Sequence, residues 1–422
     1  MRTKENGHVS PKAFFSLIPD DLYARMAADY NVDFHSRAFN GEKFLKLMVL
    51  GLLQDRQQSQ ERLSKIYGSE LFMQLNGLTH APSATHQSIS LRLRNTPSEY
   101  FRDCYDYLLK RYDGLLEPPV AGGARLVAVD STMVREMTAK LKAGMVTGRP
   151  SADGGRRRQV KYTMAYDGMA ASIAQLHTSQ SYLDEDKALK EAIEENCRKR
   201  EGHRDLYVFD RGVKGGAVLT GFAREDIRFV GRFNGRRRVE ALGDSAAPVG
   251  ELPNGAALVS DRIVRIYGKG DTHTPIATPL RLVIVDMGRP IGARPGRNRR
   301  ETTLCIITDE MELTVEQLLE IYRFRWRIEV FFKFLKSNLS FSHMLSVDQN
   351  GLTSVLWLTL ITALLLKVYA LANHRTVSNS VFYFAIDLVD DLLVSARQAS
   401  SSPEMQCAVL QDIGVQHHAV KE

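Results

Sequence analysis

The chain has 422 residues, 44% hydrophobic and 25% charged, with 30 Gly and 14 Pro, proportions that exclude collagen-like, low-complexity and wholly disordered chains. At ~100–200 residues per domain the length suggests two to four domains, ample for a sizeable core. The formal charge of +7 favours polyanionic partners, nucleic acid first, and four widely spaced cysteines (Cys104, Cys197, Cys305, Cys407) suit neither a zinc knuckle nor a disulfide framework.

Met1 to Lys12 are polar and charged and lack the apolar segment of a secretory signal. From about Leu17 to Leu116 the pattern is helical throughout, with Phe44, Leu45, Met48 and Leu52 on one apolar face. Thr96-Pro97-Ser98-Glu99 predicts a helix start with an N-cap Thr, Pro at the first helical position and a capping box closed by Glu99. That helix carries Tyr100, Phe101, Cys104 and Leu108 inward and stops near Gly114. The Pro/Gly stretch Glu117 to Gly123 then marks a domain boundary.

Beyond it the period becomes that of strands. Arg125–Val129 is a short apolar run ending at Asp130, and Val160–Tyr166 and Ala170–Leu176 flank Asp167-Gly168, a hairpin signal. Asp184–Cys197 reads as helix, Leu206–Phe209 as a buried strand ending at Asp210, Gly216–Arg224 as helix and Ile227–Val230 as strand. The order implies a mixed sheet whose first three strands are antiparallel neighbours. Residues from about Gly235 to Thr308 form a β-rich insertion, with strands at Leu258–Ile266, Leu280–Val285 and Thr303–Ile307. Thr314-Val315-Glu316-Gln317 is a second capping box, opening one long helix to about Lys336. Asn350 to Leu366 carries no charge, but it falls short of the ~20 apolar residues of a membrane span and reads as a buried core helix ended by Lys367. The tail from about Ser378 is helical in part.

Asp130 and Asp210 each end an apolar strand and precede a turn. An Asp often ends a strand merely as a turn residue, but two in neighbouring strands converge at one sheet edge. The helix after Thr314 supplies the deciding element. Tyr322, Arg325, Glu329 and Lys336 stand at offsets that place them within roughly 60° of one another, a stripe ~21 Å long. Phe324, Ile328, Phe331 and Leu335 form a second stripe that faces the core. A solvated charged face rarely mixes an aromatic and a lone carboxylate with cations. Three hard carboxylates on strand ends and a helix suit Mg²⁺, and two such ions can activate an attacking oxygen and stabilise a leaving one. Arg325 and Lys336 add phosphate contacts.

The spacing Tyr322-x-x-Arg325-x-x-x-Glu329-x-x-x-x-x-x-Lys336 is similar to the Tyr-Arg-Glu-Lys signature of bacterial insertion-sequence transposases with a DDE triad. Asp130 after Arg125-Leu126-Val127-Ala128-Val129 resembles the first Asp of that triad, and Asp210-Arg211-Gly212 the second. The resemblance covers about Leu126 to Leu366. It implies a ribonuclease H-like mixed sheet flanked by helices, as residues 124–234 and 309–370, interrupted by the β-rich insertion 235–308. It further implies a helical region (1–116) binding the transposon ends and a C-terminal helical region (371–422) for dimer contacts. The implied activity is cut-and-paste transposition on double-stranded DNA, terminal inverted repeats and target alike. Asp130, Asp210 and Glu329 would hold two Mg²⁺ or Mn²⁺ ions, and a homodimer would form in the synaptic complex. A cytoplasmic bacterial protein with no membrane partner is expected. A nuclease that cuts without joining, or a catalytically retired DNA-binding descendant, remain rival readings.

The basic residues Arg149, Arg156, Arg157, Arg158 and Lys161 before the hairpin suit phosphate contacts, as do Arg236-Arg237-Arg238 and Arg294, Arg297, Arg299 and Arg300 in the insertion. Trp326, beside Arg325, either stacks on DNA or fills the core edge. Hairpin-forming family members hold a flipped base on aromatic side chains, one a Trp of the insertion. This insertion has no Trp, and Tyr267 or Phe233 would take its place. His177 and His203 lack metal-ligand spacing and read as surface or satisfied histidines, and His417-His418 as polar terminus.

Overall fold

The computed structural model describes residues 10–388 except 35, 37–38, 55–56, 137–139, 147–156, 202–203, 214, 236, 245–248, 269–273, 289–301 and 378. Arg149, Arg156, His203, Arg236, Arg294, Arg297, Arg299, Arg300, Cys407, His417, His418 and most of the expected C-terminal region lie outside the described residues.

The chain begins with helices α1 (Pro11–Phe14), α2 (Asp20–Asp29), α3 (Gly41–Gln54), α4 (Gln60–Tyr67), α5 (Glu70–Leu75), α6 (His86–Asn95) and α7 (Ser98–Arg111). Ser59, Ser69 and Thr85 cap α4, α5 and α6 through their side chains. The capping box expected at Thr96 does not form. Thr96 ends α6 and Pro97 stands at the N-cap of α7 with no side-chain bond, because a distant residue does the work. The Asn350 carboxamide oxygen accepts from Ser98 N (3.0 Å), while its nitrogen donates to the carbonyls of Arg94 (2.9 Å) and Thr96 (2.8 Å). One side chain thus satisfies the end of α6 and the start of α7.

After α7 come β1 (Val120–Ala121) and β2 (Ala124–Arg135), joined by Gly122-Gly123, so the Pro/Gly stretch contains a small hairpin. There follow β3 (Met145–Val146), β4 (Arg158–Tyr166), β5 (Ala171–His177), α8 (Glu185–Lys199), β6 (Asp205–Phe209), α9 (Gly216–Arg224) and β7 (Arg228–Arg232). Then β8 (Val239–Asp244), β9 (Gly250–Glu251), β10 (Ala257–Ile266), β11 (Leu280–Asp286) and β12 (Thr303–Thr308) precede α10 (Val315–Phe324), α11 (Trp326–Asn338) and α12 (Gln349–Ala372). The strands form one sheet in the order β3-β4-β2-β6-β7-β12-β11-β10-β8, with β5 beside β4. Only β2–β6 and β6–β7 run parallel; the other pairs are antiparallel. Strands of the insertion continue the sheet through the β12–β7 pairing, and β8 is a strand the apolar pattern of the sequence does not announce.

Strand alternation divides the interior in two. Val127, Val129, Tyr207 and Phe209 face α8 and α9. Leu126, Ala128, Leu206 and Val208 face the other way, onto a cluster that runs without a break into α10, α11, α12 and the N-terminal helices. α12 is apolar all round, and 83% of its most apolar window is buried, which explains its composition without a membrane. It does not end at Lys367 but continues to Ala372. At the β4–β5 turn, Asp167 Oδ1 accepts from the amides of Met169 and Ala170, and Gly168 takes φ +89° under the ring of Phe324.

Two elements differ from expectation where the site is built. β2 does not stop at Asp130: antiparallel pairing with β4 carries it to Arg135, so Asp130 lies within the strand, opposite Met164. The single long helix is two, α10 and α11, with Arg325 between them. Arg325 N donates to Tyr322 O (3.2 Å) and Ile328 N to Arg325 O (3.3 Å), a 3₁₀-type tightening at the junction. The Thr314–Gln317 capping box at the start of α10 forms as expected.

Candidate active site

β2 and β6 are parallel, with Ala128 opposite Val208. Extending that register by two residues sets Asp130 beside Asp210, the first residue after β6. Gly231 on β7 lies opposite Phe209, and a side chain there would strike the Phe209 ring, so the β6–β7 pair closes up just below Asp210. From the facing side, α10 and α11 bring three residues of the predicted stripe to the two acids. Tyr322, buried, donates its hydroxyl to Asp210 Oδ1 (3.2 Å). Arg325 bonds Glu329 one turn on and lies 4.0 Å from Asp210 Oδ2, so its guanidinium sits between two of the predicted carboxylates.

Lys336, farther along α11, reaches β2 beyond Asp130, donating to Thr132 Oγ1 (2.6 Å) and Met133 O (3.2 Å), and burial lowers its pKa. The second stripe faces inward: Phe324, Ile328 and Leu335 are buried, and Phe331 stacks on Tyr166 at 4.3 Å. Trp326 is 52% exposed and fills no core edge.

Asp130 and Asp210 occupy different environments. The Asp210 side chain is 39% exposed, with Arg232 Nη1 3.7 Å from Oδ1. Asp130 accepts one hydrogen bond, from Ser131 N at 2.8 Å. Burial, with smaller pushes from Glu185 and Glu329 and against the Ser131 amide and Arg325, raises its pKa to about 7. Tyr322 is likewise held well above the usual phenol range by burial and by Asp210.

Two groups here are silent in the sequence. Arg232, at the end of β7, has no motif around it. Glu185, the first residue of α8, is a fourth carboxylate: Oε2 accepts from Ser131 Oγ (2.9 Å) and Oε1 from Lys161 Nζ (2.8 Å). Lys161 is therefore no phosphate contact. It lies inside β4, fully buried, as its place within the expected Val160–Tyr166 strand already implied. Of the other basic residues, Arg158 donates to Lys142 O, Arg237 to Tyr267 O (3.0 Å), and the Arg238 guanidinium lies 4.6 Å over the Tyr267 ring. Phe233 is buried core, whereas Tyr267 is half-buried beneath Arg238. His177 is buried and stacked on Tyr182 at 4.0 Å.

Among the described residues no three His, Cys, Asp or Glu side chains are drawn together as a ready metal-binding group. The donor set nevertheless suits a hard cation. All three predicted ligands are half-buried carboxylates, and Asp130 has no direct ion pair among the described residues.

The family model described as "Transposase DDE domain" matches residues 121–366, spanning every residue discussed here. A Sinorhizobium fredii protein provisionally named transposase y4zB is 25% identical over 170 residues. That match covers 40% of this chain and 44% of the relative, less than half of its length. Among solved structures, the piggyBac transposase synaptic complex with hairpin DNA is similar over 97% of this chain and 86% of that one, at 9% identity and a TM-score of 0.46. The Mos1 transposase paired-end complex with left transposon end is similar over 40% of this chain and 54% of that one, at 18% identity and a TM-score of 0.15.

Proposed function

The chain belongs to the transposase DDE domain family, and on that premise we propose that it is a DNA transposase of the Tyr-Arg-Glu-Lys subclass, working by cut-and-paste. One observation carries the reading: Tyr322 near the end of α10 and Arg325 at the α10–α11 junction engage Asp210 just past β6, and Arg325 also bonds Glu329 on α11. The β2–β6 register, extended by two residues, runs from Ala128–Val208 to Asp130 and Asp210. The β5-β4-β2-β6-β7 order, antiparallel then parallel, supports a ribonuclease H-like core. The proposed partners are double-stranded DNA, as element ends and target, and a second copy of the chain in the synaptic complex. The proposed end-binding region is 1–116, and the proposed setting is the bacterial cytoplasm.

Asp130, Asp210 and Glu329 would hold the divalent ions, Mg²⁺ or Mn²⁺. Bound there, two such ions supply activation of the attacking oxygen and stabilisation of the leaving one. The chain's own groups do the rest. Tyr322 and Arg232 hold the Asp210 carboxylate in place. Arg325 carries positive charge between two acids and can turn its fork to a phosphate. Lys336 fixes α11 to the strand bearing Asp130, and Trp326 offers a ring face to DNA from the exposed side of the same helix.

The test uses a labelled duplex carrying the DNA that flanks the gene, with Mg²⁺, with Mn²⁺ and with EDTA, alongside a gel shift. Glu329→Gln is nearly isosteric and leaves the packing of Phe324 and Ile328 intact. It should bind ends as the wild type does while cleavage falls by at least about 100-fold, with partial recovery in Mn²⁺. Asp130→Asn and Asp210→Asn should behave alike. Wild-type cleavage in EDTA, or full cleavage by the Gln variant, would sink the reading. Cutting without joining to a target would leave a nuclease.

A further inference from the structure

α6 carries a surface that no described element of the molecule covers. Ile89 and Leu93, both fully buried, anchor it underneath. Asn350 holds its C-terminal carbonyls, and Arg92 ties it to Val32 O (2.8 Å) and Asp33 (3.0 Å). Its first turn is fixed by Thr85, whose hydroxyl accepts from Ser88 N at 3.1 Å. The helix is thus clamped at both ends and along one side. On the other side His86, Gln87, Leu91 and Arg94 are all exposed, Leu91 by 48%. They spread over about 140° of the helix at 100° per residue. None of the three polar side chains has a hydrogen-bond or ion-pair partner among the described residues.

The exposed face itself carries Arg94 and His86 and no carboxylate, and from Leu71 to Ser98 the chain contains no Asp or Glu. The Arg92 charge, by contrast, is taken up by Asp33. A polyanion meets a cation and no carboxylate among the exposed side chains of this helix. A protein partner would call for an apolar stripe, and Leu91 is the one apolar residue among the four. The start of the neighbouring helix α4 is tied to the segment that follows α11, where Gln58 N donates to Ser340 Oγ (3.3 Å) and Gln60 to Leu345 O (2.7 Å).

We propose that α6 is the helix that reads base edges in the major groove of the element's ends, which rests on the transposase reading above and names the residues that choose the sequence. The N-terminal residues of a groove-bound helix are the ones that meet base edges. Gln87 has the bidentate donor and acceptor that fit adenine, His86 adds a second hydrogen-bonding group, and Leu91 offers a contact for a thymine methyl. Arg94, farther along, takes a backbone phosphate and sets register.

The experiment selects from a duplex library with a randomised centre, using the full-length protein, and sequences the bound fraction. Wild type should enrich one motif. Gln87→Ala alone should lower the preference for one base at one position by about 10- to 100-fold. His86→Ala/Gln87→Ala/Leu91→Ala should bind without enriching the motif. Arg94→Ala should weaken binding to all sequences alike and reduce the salt slope by about one. These positions are exposed, so an unchanged thermal midpoint shows that a variant is folded. If the triple variant enriches the wild-type motif at wild-type strength, α6 is not the reading helix, while end recognition elsewhere in the chain stands. If wild type enriches nothing, the end-recognition reading itself fails and takes this inference with it.

Discussion

The pair Lys161–Glu185 should respond asymmetrically to losing one partner or the other. The Lys161 side chain is 0% exposed, and its ammonium has Glu185 as its ion-pair partner at 2.8 Å; the Glu185 side chain is 34% exposed. Glu185→Leu strands a buried cation, which costs about 3–5 kcal/mol when a buried pair is broken from one side. Lys161→Met removes the buried charge itself and leaves a carboxylate that water reaches and that still accepts from Ser131 Oγ. Its cost should be nearer about 1 kcal/mol, as for a partly exposed pair. Lys161→Met/Glu185→Leu should then be more stable than Glu185→Leu alone, a coupling that a double-mutant cycle measures directly. The assay is urea unfolding followed by tryptophan fluorescence, with end cleavage recorded in parallel because Ser131 adjoins Asp130. Equal losses from the two single variants, or a double variant as unstable as the sum of both, would refute the reasoning.

Three further outcomes are expected. Burial lowers the His177 pKa to about 4, so the unfolded chain takes up a proton below pH 6.5 that the folded imidazole refuses. Stability should therefore fall between about pH 6.5 and 4, by up to about 3 kcal/mol, and His177→Phe should flatten that slope in urea midpoints taken across the range. Asn350→Ala removes three good backbone contacts between α6 and α7 and should cost roughly 1–3 kcal/mol, with faster hydrogen exchange at the Ser98 amide as its local signature. Trp326→Ala should change unfolding by no more than about 0.5 kcal/mol, since the ring is exposed, yet weaken DNA binding in a gel shift if the ring stacks on bases.

Where the sequence was legible, one physical rule governed a whole element. β11 and β12 begin at the predicted residues because burial on both faces leaves mainly apolar runs with sharp ends. The Thr314 capping box formed because both halves of the motif are local. The Thr96 box failed because Asn350, 252 residues from Ser98, offered a better partner, and no local pattern contains that information. β2 was cut short at Asp130 for a related reason. Past that residue its side chains are only half-buried, and its pairing is dictated by β4 rather than by its own hydrophobicity. Lys161 and Glu185 were misread or missed because a charge in sequence looks solvated until the fold brings its counter-charge.

The overrun of β2 past the end of β6 also explains the electrostatics of the site. A strand end is wet, and Asp210, just past one, keeps a partly exposed carboxylate that Tyr322 and Arg232 can steady from the side. Asp130 is half-buried within a strand, flanked by β4 and with the carboxylates of Glu185 and Glu329 acting on it. Each of those two acids already has its own cation, Lys161 for Glu185 and Arg325 for Glu329. Asp130 is the carboxylate left without a cation of its own, and its pKa is pushed up to about 7. A solvated turn residue would have no such deficit, and a structural acid in this position would be paired. The helix break at Arg325 completes the arrangement, placing one guanidinium where it serves Glu329 and Asp210 together, while Asp130 has no ion pair of its own among the described residues.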